Sequence, residues 1–215
     1  IHSPLVLKPK EFSKNIFGSS QKYITWVEIK NLHKSMEVMI PSFKVNPQLI
    51  GISKEEIINI DTKIKPLHPD DEEDQKNDYW SAYIVKSKKS TLVSIEVEFE
   101  INNSAVDKFK CLWIDIEWGN YGPFGFLKKF DGFVLPNYIE SHKEISSNSN
   151  LVYPIKTHIL GTLDDPIEIL RSYMPLNCLP TDILTIGESP LAIMQGAYID
   201  YRSINVSPIA RLLCK

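Results

Sequence analysis

The stretch CLWIDIEWGNYG (111–122) sets two carboxylates, Asp115 and Glu117, two residues apart. Side chains at i and i+2 of an extended strand share a face, so these acids would stand side by side, as a carboxylate pair in general acid–base catalysis must. Their neighbours argue for a milder role. Ile114, Ile116 and Trp118 alternate with them, the pattern of a strand with one face on a core and the other in water, and the solvated face is the expected place for both acids.

Other constellations fail on the same terms. The stretch TIGESPLAIMQG (185–196) offers one acid, Glu188, and no cation. Phosphoryl chemistry would need cationic groups and metal-held carboxylates there, so the stretch is expected to be an apolar junction between a strand and a turn. The run DDEED (70–74) has no glycine and none of the spaced acids of a calcium loop, and is expected to be a solvated loop. GNYGPFG (119–125) is glycine-rich, but it lacks Lys-Ser/Thr and precedes a strand, so it is not a P-loop. Asp164 and Asp165 precede Pro166 and are expected to cap a helix.

Cys111, Cys178 and Cys214 are odd in number and far apart, which gives neither a disulfide framework nor a zinc spacing. Reduced thiols and an interior compartment are expected. His2, His33, His68, His142 and His158 are scattered, and only the fold could gather them on a metal. No catalytic, cofactor-binding or metal-binding residue is assigned from these patterns, and no cofactor is expected.

The elements that must position such residues are mostly strands. Period-2 stretches rich in β-branched and aromatic residues run from Lys22 to about Leu135: 22–31, 35–41, 42–51, 56–66, 79–86, 90–101, 111–122 and 126–136. They predict a mainly β fold, an antiparallel β-sandwich of the Ig/FnIII-like kind over 1–136. The polar stretch 137–150 ends in a Ser/Asn cluster and is expected to be a linker.

From 151 to 215 the pattern becomes that of a small, incomplete α/β segment. Strands are expected at 153–160 and 182–188, and a helix at 164–175 with Ile167, Leu170, Tyr173 and Met174 on one side. A last helix should open with Ser207 as N-cap and Pro208 at its first position.

With 215 residues, 43% of them apolar, the chain can build a substantial core, and a net charge of −3 gives no attraction to polyphosphate, so a nucleic-acid partner is not expected. No apolar run reaches the roughly 18 residues of a membrane span, and the chain as given reads as soluble. It opens Ile1-His2-Ser3-Pro4 without methionine, which suggests a targeting peptide or membrane anchor ahead of Ile1.

The residues also carry a resemblance. VYPIKTHILGTLDDPIEILRSYMPLNCLPTDILTIGESPLAIMQG (152–196) resembles the beginning of the F420-0:γ-glutamyl ligase domain. With YWSAYIVK (79–86) and YGPFGFLKK (121–129), the whole chain looks like the N-terminal half of cyanobacterial and plastid-type members of the F420-0:γ-glutamyl ligase-like group. The resemblance implies a β domain ahead of a ligase-like domain, and an activity that joins an amino acid to a phosphorylated precursor with GTP and a divalent metal. Ligases of the family carry a segment of the type I-V-S-K-A-E-G-R. The corresponding positions here are Pro190, Leu191, Ala192, Ile193, Met194, Gln195, Gly196 and Ala197, without its hydroxyl, acid or cations.

The expectation is therefore a non-catalytic structural or interaction subunit of a membrane protein complex at a chloroplast or cyanobacterial thylakoid surface, a photosystem or its antenna being the implied partner. Tyr121, Phe124 and Phe126, aromatics of a predicted loop, are its candidate contact residues. The alternative is a GTP-dependent γ-glutamyl ligase-like enzyme of which this is the N-terminal part.

Overall fold

The computed structural model describes residues 3–70, 79–139, 152–204 and 206–214. Residues 71–74 of the acidic run and most of the expected linker lie outside the described residues. The strands are β1 (Leu5–Phe17), β2 (Ser20–Asn31), β3 (Val38–Ile40), β4 (Phe43–Ile50), β5 (Ile57–Leu67), β6 (Tyr83–Val85), β7 (Ser90–Ile101), β8 (Cys111–Gly122) and β9 (Gly125–Pro136). All pairings are antiparallel.

One sheet has the order β1-β2-β7-β5. In the other, β8 is central. It pairs along its length with β9 on one side and with β4 on the other, where Met39 of β3 continues the edge opposite Tyr121 and β6 lies beyond β3. Pro41 separates β3 from β4, where a residue without an N–H can break a ladder.

The alternation expected in 90–101 and 111–122 locates the core. Tyr23, Val27 and Ile29 of β2 and Val93, Ile95, Val97 and Phe99 of β7 face Leu112, Ile114, Ile116 and Trp118 of β8, all of them buried. Burying each large apolar side chain contributes about 1.5–3 kcal/mol, so these inner faces dominate the stability of the sandwich. Two hairpins need glycine. Gly18, with φ +62°, turns β1 into β2, and Gly125, with φ +86°, turns β8 into β9.

β1 lies ahead of the first strand expected from the sequence. Its register shifts between Pro9 and Phe12, and this irregularity breaks the period-2 signal by which a strand is recognised.

The C-terminal segment departs further from expectation. It forms helices α1 (Pro166–Tyr173), α2 (Glu188–Met194) and α3 (Pro208–Leu213), and its described residues include no strand. The stretches 153–160 and 182–188 carry no ladder, so the α/β expectation is corrected to helices joined by coil. A short β-like stretch without a neighbour to pair with leaves its backbone groups to water and gains nothing from extension.

In α1, Asp165 caps the backbone N–H groups of Ile167 and Glu168 at 2.9 and 3.0 Å. Asp164 does not cap. The buried side of α1 is Ile169 and Tyr173, whereas Ile167 and Met174 are exposed.

Helix α2 replaces the expected strand-to-turn junction. Pro190 falls in its first turn, where the missing N–H has no consequence, and Leu191, Ala192 and Met194 are good helix formers. The helix ends in a Schellman arrangement: Gly196, with φ +68°, donates to Ile193 O at 2.9 Å, and Ala197 donates to Ala192 O at 2.8 Å. Ser207 caps α3 through the N–H of Ala210 at 3.2 Å, as expected. No described helix is long and apolar enough to cross a membrane.

Candidate functional site

The outer face of β8 is covered where the sequence expects water. Asp115 is only 6% exposed. Arg202, from a 3₁₀ turn at Tyr201–Ser203, donates from Nη2 to Asp115 Oδ1 at 2.5 Å and from Nη1 to Oδ2 at 3.2 Å. The same guanidinium bonds Asp200 and lies 4.4 Å over the ring of Phe130. These hydrogen bonds from Arg202 hold the Asp200 carboxyl below its usual range. Glu117 instead meets Lys128 at 2.9 Å. The two acids share a face as predicted, but separate partners engage them and they form no catalytic pair.

Around this clamp the chain closes the free edge of β9. Ser203 Oγ accepts from Phe130 N–H and donates to Phe130 O, both at 3.1 Å, and Tyr198 Oη donates to Gly132 O at 2.6 Å. An edge strand shielded in this way is no longer a template for another chain. Residues 198–203 gave no local signal of this role, because a clamp between positions 87 residues apart has no periodicity.

A second polar cluster, missed by sequence reasoning, joins the coil to α1. His158 Nδ1 lies 2.6 Å from Tyr173 Oη, and His158 Nε2 lies 3.2 Å from Asp164 Oδ1. Asp164 Oδ2 accepts from Gly161 N–H at 2.7 Å, and the Tyr138 ring meets His158 edge-on. The order Asp-His-Tyr suggests a proton relay. However, the His158 and Asp164 side chains are 0% and 1% exposed, so neither meets a ligand, and the cluster works as an internal tie.

Tyr173 also borders a cleft of about 600 Å³ lined mainly by apolar residues, among them Tyr153, Ile155, Leu160, Met174 and Ile183. Val152 is 82% and Ile183 87% exposed. Glu188 stands exposed at the start of α2, and none of the described ion pairs includes it. Among the described residues no three His, Cys, Asp or Glu converge as a metal site would require. These residues do not fit a nucleotide and its divalent ion.

The aromatic candidates fall at the tip of the β8–β9 hairpin. Tyr121 and Phe126 are 52% and 57% exposed and face each other across the two strands. The ring of Phe126 covers Gly119, where a Cβ would meet it at 2.7 Å. Phe124 turns back, packing partly buried against the core and over Gly122. Cys111 is buried, which pushes its thiol up to about 11 and leaves it an inert core residue.

Residues 6–139 match the family described as "F420-0:gamma-glutamyl ligase, N-terminal Ig-like domain". No curated protein matches the chain significantly. Among solved structures, the GAE domain of GGA2p from Saccharomyces cerevisiae is similar over 61% of this chain and 90% of that one, at 17% identity and a TM-score of 0.33. That superposition carries no argument about function. The family match takes in nearly all of the described strands of the sandwich, and the chain belongs to the family of the N-terminal Ig-like domain of F420-0:γ-glutamyl ligase.

Proposed function

We propose that this chain is a non-catalytic interaction module: an Ig-like sandwich that braces a helical segment on one sheet face and presents apolar surface to a protein partner. The observation that carries the proposal is the open cleft of the C-terminal segment, whose lining includes the exposed Val152, Met174 and Ile183. A contiguous apolar surface on a folded protein marks an interaction site. The resemblance to cyanobacterial and plastid-type proteins extends the proposal to a membrane-associated complex of the thylakoid. Co-purification from native membranes tests it: Ile183→Asp should lose the subunits that the wild-type chain retains. Identical recovery by both proteins would overturn the reading.

A second reading, a ligase-like enzyme using GTP and a divalent metal, is favoured by the family itself. Against it stand α2, with no cation on residues 188–194, and the lack of converging acids among the described residues. Calorimetric titration with GTP and Mg²⁺ separates the two, since saturable binding would favour the enzyme.

A further inference from the structure

The flank of the sandwich holds a second concavity, independent of the apolar cleft. β1 and β9 are edge strands of opposite sheets, and two lysines tie them together. Lys129 Nζ donates to Leu5 O at 2.9 Å, and Lys14 Nζ donates to Asn137 Oδ1, just beyond β9. On this flank, between β1, β9 and the C-terminal segment, opens a crevice of about 340 Å³ lined by Leu7, Pro9, Asp131, Phe133, Gln195 and Tyr198, among others.

Asp131 is the acidic group of this crevice. It pairs in register with Ile116, whose side chain is in the core, so it lies on the core-facing pleat of β9. Its Oδ2 accepts from Trp118 Nε1 at 2.7 Å, and it forms no ion pair among the described residues. Burial raises its carboxyl above the usual range. Lys129, on the same strand, donates to Leu5 O and lies over the Trp118 ring at 4.9 Å, and its charge also acts on Asp131 without pairing with it directly. Lys8 also lines the crevice, but it stands on the opposite pleat from Leu7, whose side chain packs on the core. Asp131 thus stands in a crevice whose other lining is mostly apolar and aromatic, with Gln195 and Tyr198 also on its wall.

We infer that this crevice binds a small organic cation, an amidinium or alkylammonium on an apolar body, with its charged head on Asp131 and its body against Leu7, Pro9 and Tyr198. The volume lies at the small end of ligand pockets, enough for one ring and its head group. A charge-assisted hydrogen bond in a partly desolvated site is stronger than a neutral one. A ligand with its own carboxylate is disfavoured, because Asp131 and the nearby Asp200 would both repel it.

The test is calorimetric titration of the chain with benzamidine and with benzamide, its neutral counterpart of the same shape. Benzamidine should bind about tenfold tighter or better, and Asp131→Asn, which keeps an oxygen for Trp118, should erase the difference. Equal binding of the two compounds, no binding of either, or an unchanged preference in a folded D131N protein would overturn the assignment. Should D131N not fold, the wild-type protein decides through pH. Asp131 is faced by Lys129 from its own strand, Trp118 from β8, and Asp200 and Tyr198 from the C-terminal segment, and Lys8 of β1 also lines the crevice. Asp200 is held low by Arg202 and keeps its charge further into acid than the raised Asp131. Benzamidine affinity should therefore fall on acidification before Asp200 titrates, and a flat profile across that window would overturn the assignment.

Discussion

Arg202 and Asp115 meet through two hydrogen bonds across 87 residues, one from each Nη of the guanidinium to one oxygen of the carboxylate. This bidentate pair fastens the C-terminal segment to the outer face of the central strand and converts a face patterned for water into an internal junction. Arg202→Ala should loosen residues 198–204 while leaving the two inner faces of the sandwich packed. Because the Arg202 side chain is 32% exposed, solvent screening limits the loss to about 1 kcal/mol. Limited proteolysis reads the effect directly, through faster cleavage after residue 197 with unchanged protection of β7 and β8. A double-mutant cycle with Asp115→Asn should show that the two losses do not add.

The sandwich was legible in the sequence because its cause is local. Leu112, Ile114, Ile116 and Trp118 alternate with Trp113, Asp115 and Glu117, and that period specifies a strand and its inner face. The role of Asp115 was not legible, since the group that buries it arrives from position 202. Helix α2 lies between these cases. Pro190 in the first turn and Gly196 after the end are helix punctuation, but the apolar run between them has no polar alternation and can be read as strand or as helix. The Asp164–His158–Tyr173 cluster had no signature, because a buried histidine and a surface histidine are spelled alike.

That cluster should behave as a structural tie with local consequences. His158→Ala leaves the Asp164 carboxylate and the Tyr173 hydroxyl buried without their common partner. Losing one partner of a buried, hydrogen-bonded group costs about 3 kcal/mol. Hydrogen exchange should show protection lost through 158–173, with β2, β7 and β8 unaffected. Uniform loss across the whole chain would mean that the helical segment and the sandwich unfold as one unit.

The acid limb of stability should carry a contribution from Glu56. Its carboxylate pairs with Lys108 Nζ at 2.5 Å and accepts from Ser53 N–H and Oγ, which together hold its pKa down to about 2 from an ordinary 4.5. A folded-state pKa below the unfolded value gives stability that is present above the unfolded pKa and lost as pH falls through the folded one. Glu56→Gln should therefore flatten the pH dependence of the thermal midpoint between about pH 4.5 and 2, and reduce the midpoint at neutral pH. Lys108→Met should do the same in part, since the bonds from Ser53 remain.

The last expectation concerns the exposed row that crosses the second sheet beyond the clamp. Ile84 pairs with Met39, Met39 with Tyr121, and Tyr121 with Phe126, so four side chains from four strands line up on the outer face. Met39 is half-buried, and the other three are between 49% and 57% exposed. Were this row only surface, replacing Tyr121 and Ile84 by serine would change stability by less than about 0.5 kcal/mol and leave binding untouched. As part of the proposed interaction surface, the Tyr121→Ser/Ile84→Ser protein should keep that stability and still fail to retain the partner in co-purification. Phe126 is kept in this variant, because its ring covers Gly119 and its removal would expose backbone as well as surface. Circular dichroism melts paired with the co-purification yield distinguish the outcomes: an unchanged melt with unchanged yield would remove this row from the interface and leave the cleft at Met174 and Ile183 as the contact.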